Sequence, residues 1–176
     1  PATNELGRVA LTVSDQINSQ LNQGVDLNGA FGSNLFSSIN TATQVSQRSI
    51  ASMGNSAGSG NLDVTIADTS KITASDYQVT FTSATAYDVK RLPDGTDMGA
   101  YDLATTPTPV IDGFSIAKNG GAFSAGDSFK VTPTRNAAGN ITTTMTDPNA
   151  LAAAAPISAS AGASNKGSTK IGRAHV

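Results

Sequence analysis

The chain has 176 residues, a formal net charge of −2, no cysteine, and only 14% charged and 5% aromatic residues. Its cations are scattered, which argues against a nucleic-acid partner; no apolar run is long enough to cross a bilayer; and disulfides and thiolate metal sites are excluded. Ser, Thr, Ala, Asn and Gly dominate while apolar runs persist, a balance that suits one domain, or a domain plus part of another, built of strands with short polar turns.

Residues 4–23 read as an amphipathic helix. Leu6, Ala10, Val13, Ile17 and Leu21 recur at spacings of four and three, with Val9 widening the stripe. Arg8, Thr12, Asp15, Ser19 and Asn22 fall on the other face. Asn4 is the expected N-cap, and Glu5 suits the positive end of the helix dipole. An apolar stripe of this length must be covered, either by the rest of the chain or by helices outside it.

The stretch Gly24–Phe36 closes that helix. Gly24 is expected to end it in the left-handed conformation, and Asp26 with Asn28-Gly29 supplies turn chemistry. Phe31, Leu35 and Phe36 anchor the turn from behind. Residues 37–60 are weakly patterned and read as a connector, most flexible at Gly54–Gly60.

From residue 61 the hydrophobic period becomes two. Strands are expected at Leu62–Ala67, Tyr77–Thr82, Tyr87–Leu92, Phe114–Ile116, Phe129–Val131 and Ile141–Thr146. Pro93-Asp94-Gly95 is a turn, and Asn119-Gly120-Gly121 reads as a hairpin signal. Asp147 and Pro148 should cap and start a short helix over Ala150–Ala155. The expected core is Leu62, Val64, Ile66, Tyr77, Val79, Phe81, Val89, Phe114, Ile116, Phe129 and Val131.

Residues 158–170 are Ser/Ala/Gly-rich and read as a linker. Lys170 and residues 171–176 read Lys-Ile-Gly-Arg-Ala-His-Val, which looks like the in-frame translation of a common sequencing adapter, a genuine terminus being the alternative. The tail is therefore expected to be an artefact, and His175, the one histidine in the sequence, to carry no chemistry.

Catalytic and metal sites find little support. Asp26-Leu27-Asn28-Gly29 starts like a calcium loop, but Ala30, Phe31 and Ser37 stand where further ligands are needed, so the turn reading wins. Gly126-Asp127-Ser128-Phe129 is similar to the nucleophile block of the GDSL-type esterases, yet a serine nucleophile needs a base. A turn before a strand explains the block more simply. Asp63, Asp68, Asp94, Asp97, Asp112 and Asp127 fall at strand ends and turns, without the pairing that acid–base catalysis uses. No catalytic, cofactor-binding or metal residue is assigned, and no cofactor is expected.

Several of these stretches together resemble the flagellar hook-associated protein 1 family of the bacterial hook–filament junction. The resemblance rests on Asn4–Leu11 running into Ile17-Asn18, on Gly24–Gly29 with Leu35-Phe36, and on Asp76–Phe81, Tyr87–Leu92, Asp112-Gly113-Phe114 and Gly126–Pro133 in that order. It implies an internal fragment of a non-enzymatic, exported subunit of the extracellular flagellum. It further implies self-association in a ring, beside hook protein and a neighbouring junction protein. Hook protein and flagellin are near alternatives within that class. The fold expected is mainly β with an N-terminal amphipathic helix, a piece of a helical rod domain followed by a β-rich outer domain. Residues 1–36 would end the rod, 37–60 connect, and 61–157 form the outer domain. A β-rich adhesin or carbohydrate-binding module is the alternative from another class, and it would need exposed aromatics. Tyr77 and Tyr87 lie in register with apolar strand positions and are expected in the core instead.

Overall fold

The computed structural model describes residues 2–152. The expected linker at 158–170, the tail at 171–176 and the end of the predicted last helix lie outside them. The described chain divides into two units, one formed by residues 2–11 and 39–140, the other by 12–38 and 141–152. Residues 141–152 therefore group with 12–38, whereas the sequence placed them in a continuous 61–157 body.

Alternation of side chains builds the first unit. Five antiparallel strands are ordered β1 (Ser49–Ala51), β7 (Ser128–Val131), β3 (Tyr77–Phe81), β4 (Ala86–Arg91), β5 (Asp97–Asp102). A second sheet pairs β2 (Asn61–Ile66) with β6 (Phe114–Asn119), also antiparallel. Because successive side chains point to opposite faces, Tyr77, Val79, Phe81, Tyr87, Val89, Phe129 and Val131 reach one apolar cluster together with Leu62, Val64, Ile66, Phe114 and Ile116. Every residue of the expected core is buried. Rings give the cluster shape: Tyr77 meets Phe114 edge-on at 4.8 Å, and Phe81 stacks on Phe123 at 4.2 Å.

The sequence reading needs correction at four places. The 37–60 connector carries a helix, α2 (Ala42–Gln47), and strand β1. Thr41 and Gln44 form a capping box that starts α2, a polar signal that a hydrophobic-period reading passes over. Asn119-Gly120-Gly121 does turn the chain, with φ of +70° and +54° at the two glycines. It makes no hairpin, because β7 pairs with β1 and β3 rather than with β6. Strand β5 escaped notice because its Asp97, Gly99 and Ala100 break the alternation; it forms by pairing with β4 across the Pro93–Gly95 turn. Ile141–Thr146 is not a strand: Thr143 makes one isolated bridge, to Phe36, and that lies in the second unit.

Helix α1 (Ala2–Asn22) contributes its first ten residues to the first unit and the remainder to the second. Asn4 lies inside the helix and is not its cap. Asn4 Nδ2 donates to Asp76 Oδ1 at 2.9 Å and to Ala74 O at 3.1 Å. In the second unit the helix ends without a left-handed Gly24, since its final turns close through Gln23 N to Gln20 O and Gly24 N to Leu21 O. Asp147 caps a 3₁₀ turn at Pro148–Ala150, with Pro148 in the first turn as expected, but the turn stops where the helix over Ala150–Ala155 was expected to begin, since Leu151 is extended.

Candidate functional site

Helix α1 holds the largest departure from the hydrophobic pattern. Its buried positions are Asn4, Gly7, Leu11, Ser14, Asn18 and Leu21, spaced three and four apart. The apolar stripe read from the sequence points elsewhere: Leu6 is 62% exposed, Val9 45% and Val13 46%. Leu21 alone belongs to both sets. Close backbone approach explains the covered face. A Cβ on Gly7 would lie 1.8 Å from the carbonyl oxygen of Thr134, so only glycine fits there. Asn4 and Asn18 take up backbone groups that apolar side chains would leave unpaired. The helix therefore presents a row of apolar side chains, Leu6, Val9 and Val13, that stay about half exposed among the described residues.

The calcium-like stretch is a closed turn. Asp26 Oδ1 accepts from Asn28 N at 2.9 Å and from Ala30 N at 2.8 Å, and Asp26 N donates to Ala30 O at 2.9 Å. Gly29 takes φ +79° to complete it. The carboxylate is satisfied by backbone amides, as Asx turns require.

The Gly126–Phe129 block is a loop staple. The Asp127 carboxylate accepts from Ser56 N at 2.6 Å, Ser56 Oγ at 2.8 Å and Ser124 N at 2.9 Å. Those bonds hold its carboxyl below the usual carboxylate range, the Ser56 amide most of all. Ser128 N donates to Asn55 Oδ1 at 2.7 Å. Ser128 borders a surface cleft of about 350 Å³ with Ile50, Leu92 and Lys130. Lys130, the basic side chain there, has its Nζ 3.4 Å from Asp76. Nothing in this arrangement activates the serine hydroxyl.

The remaining carboxylates also work locally. Asp94 takes a forked contact from Arg91, with Nε at 3.0 Å and Nη2 at 2.7 Å from Oδ2. Arg91 holds the Asp94 carboxyl well below its ordinary range. Asp112, at φ +43°, accepts from Tyr77 Oη at 2.7 Å and from Arg91 Nη1 at 3.1 Å. Asp68 accepts from Ser70 N at 3.0 Å, and Asp63 from Asn119 Nδ2 at 2.7 Å. Asp97 accepts from Gly99 N at 2.8 Å. Among the described residues no group of three or more His, Cys, Asp or Glu could hold a metal ion. Tyr77 and Tyr87 are buried, and Tyr101 stacks on Tyr87 at 5.8 Å, so the tyrosines offer no open platform for a sugar ring.

One residue that the sequence reading missed is Arg48. It is 7% exposed, and its guanidinium donates to Asn40 Oδ1 and Val64 O, each at 2.9 Å, and to Ile39 O. All three partners are neutral oxygens, and burial pulls its pKa down to about 10. It sits in a polar stretch with no periodic signal to mark it.

Residues 1–36 match the family model described as the flagellar hook-associated protein FlgK helical domain, and residues 50–133 match that of the flagellar hook-associated protein 1 D2-like domain. The chain is 31% identical over 135 residues to flagellar hook-associated protein 1 of Salmonella typhimurium and to that of Salmonella typhi. Each match covers 76% of this chain and 23% of the relative, so the chain spans about a quarter of the length of the curated relatives it matches. The flagellar hook junction protein FlgK of Burkholderia pseudomallei is structurally similar, with a TM-score of 0.73 and 32% identity over 89% of this chain and 27% of that one. The chain belongs to the flagellar hook-associated protein 1 family.

Proposed function

We propose that this chain is part of a structural subunit of the bacterial flagellum at the hook–filament junction, working by assembly and not by catalysis. The observation that carries the reading is the half-exposed row Leu6, Val9 and Val13 on α1. Three large apolar side chains along one helix face cost free energy in water and gain it when a second helix covers them. The family membership names the assembly in which such helices would meet. In this reading residues 1–36 belong to the helical rod, and the sheet-bearing body within 61–157 is the outer domain, with 39–60 built into it. Its partners are further copies in a ring, hook protein and a neighbouring junction protein, outside the cell. Interfaces of this kind are broad and need no titrating residue.

The test places Val9→Glu and Val13→Glu together in the full-length parent protein. The variant should fold and be exported, yet fail to enter hook–filament junctions seen by electron microscopy, and filaments should be lost. Normal junctions with normal filaments would overturn the assignment of this face.

A further inference from the structure

Among the described residues strand β2 has one neighbouring strand, β6, and so one open edge. Backbone groups of an antiparallel strand alternate between the two sides. Ala67 N donates to Gly113 O at 2.8 Å, continuing the ladder with β6. Asp63 and Thr65 share that direction, and Leu62, Val64 and Ile66 turn their amides and carbonyls outward. Among the described residues no strand meets that outer edge. Side chains meet it instead. Asn40 Oδ1 accepts from Ile66 N at 2.9 Å while Asn40 Nδ2 donates to Ile66 O at 2.8 Å, which is the double bond a paired strand residue would make. Arg48 Nη1 donates to Val64 O and to Asn40 Oδ1, and Nη2 to Ile39 O. Asn61 Nδ2, at the other end of the strand, donates to Ser46 O at 3.2 Å. Both ends of the covering segment are fixed: Ile39 lies in the apolar cluster, and Arg48 O accepts from Thr132 N at 2.8 Å.

We propose that residues 39–48 form a strap, anchored at both ends, whose bonds to β2 keep the outer edge of that strand from pairing with the β2 edge of a second copy of this chain. An open edge with outward amides and carbonyls is a template for another strand. The copy that such an edge meets first is an identical one, whose β2 offers the same unpaired groups in antiparallel register. The strap answers that edge with side chains, so its bonds to β2 can open without unravelling the β2–β6 ladder. The proposal concerns unwanted pairing and stands apart from the junction assignment.

The test uses the 176-residue chain with Asn40→Ala, which removes both bonds to Ile66. The variant should melt cooperatively yet self-associate in sedimentation velocity, with exchange protection of the Val64 and Ile66 amides rising with concentration. A folded variant that stays monomeric to the highest concentration reached overturns the proposal. The wild-type chain provides a second measurement that requires no variant to fold. Its Ile66 amide, bonded to the strap, should exchange roughly five- to tenfold faster than that of Thr65, bonded toward β6, the factor expected when one side opens about 1 kcal/mol more readily. Equal exchange at the two residues would show that the strap never opens by itself, and the proposal would fall.

Discussion

The side chain of Asn18 pairs with both backbone groups of Phe36: Nδ2 donates to its carbonyl oxygen and Oδ1 accepts from its amide, each at 3.0 Å. A helix residue thereby holds the exit stretch as a neighbouring strand would. Asn18→Ala strips both partners from Phe36. Loss of a paired buried polar group costs about 1–3 kcal/mol, and the urea midpoint should fall accordingly. An unchanged midpoint would mean that water replaces the side chain at no cost.

Gly7 and Gly139 give opposite expectations for the same substitution. Alanine is the better helix former by about 1 kcal/mol, so propensity alone favours it at both. At Gly7 the new methyl would meet the Thr134 carbonyl oxygen at 1.8 Å, a backbone atom that cannot swing aside. Gly7→Ala should therefore destabilise the chain by about 1–3 kcal/mol in spite of propensity. Gly139 lies in helix α3 (Ala137–Asn140) with no atom within 4 Å of the added Cβ. Gly139→Ala should be neutral or stabilise by up to about 1 kcal/mol. Thermal melts of the two variants beside wild type decide the matter, and equal shifts at the two sites would refute the close approach at Gly7.

These positions show what a sequence can and cannot reveal. The core of the two sheets was legible because alternation and burial coincide in β2, β3, β4, β6 and β7. The covered face of α1 was not, since Asn4, Gly7, Ser14 and Asn18 carry no hydrophobic signal. They serve close packing and backbone pairing, which depend on residues far along the chain such as Thr134 and Asp76. Arg48 and β1 were hidden for the same reason. Ile50 in β1 is half exposed, and the strand exists through its register with Lys130. The Asp26 turn was legible because an Asx turn is local, and its partners lie within four residues.

Asp127 makes stability depend on acid. Its folded-state pKa is depressed, so the carboxylate contributes stability above the unfolded value of about 3.9, and that contribution is lost as pH falls through the lower folded value. Asp127→Asn removes the charge that Ser56 and Ser124 bind. The stability gap between wild type and variant should stay level from neutral pH down to about 4 and narrow below it. Urea midpoints across that range measure the gap. A gap that stays constant into strong acid would show that the charge of Asp127 is not what the loop amides recognise.

Phe129 sits where the aromatic contacts converge. It is 1% exposed, its ring lies 5.9 Å from Phe81 and 5.5 Å from Phe123, and its backbone pairs with Ala51 on one side and Val79 on the other. Phe129→Ala should cost about 3–5 kcal/mol, the range for a buried phenylalanine whose cavity cannot collapse. Phe129→Leu keeps most of the volume and should cost clearly less. The ring contacts add a second expectation. Phe123→Ala and Phe129→Ala share an edge-on pair at 82°, so their double variant should lose about 0.5–1.5 kcal/mol less than the sum of the two singles. Urea titrations of the four proteins give the cycle. Strict additivity would mean that the rings share a cavity without interacting, and an unchanged midpoint for Phe129→Ala would remove the residue from the core.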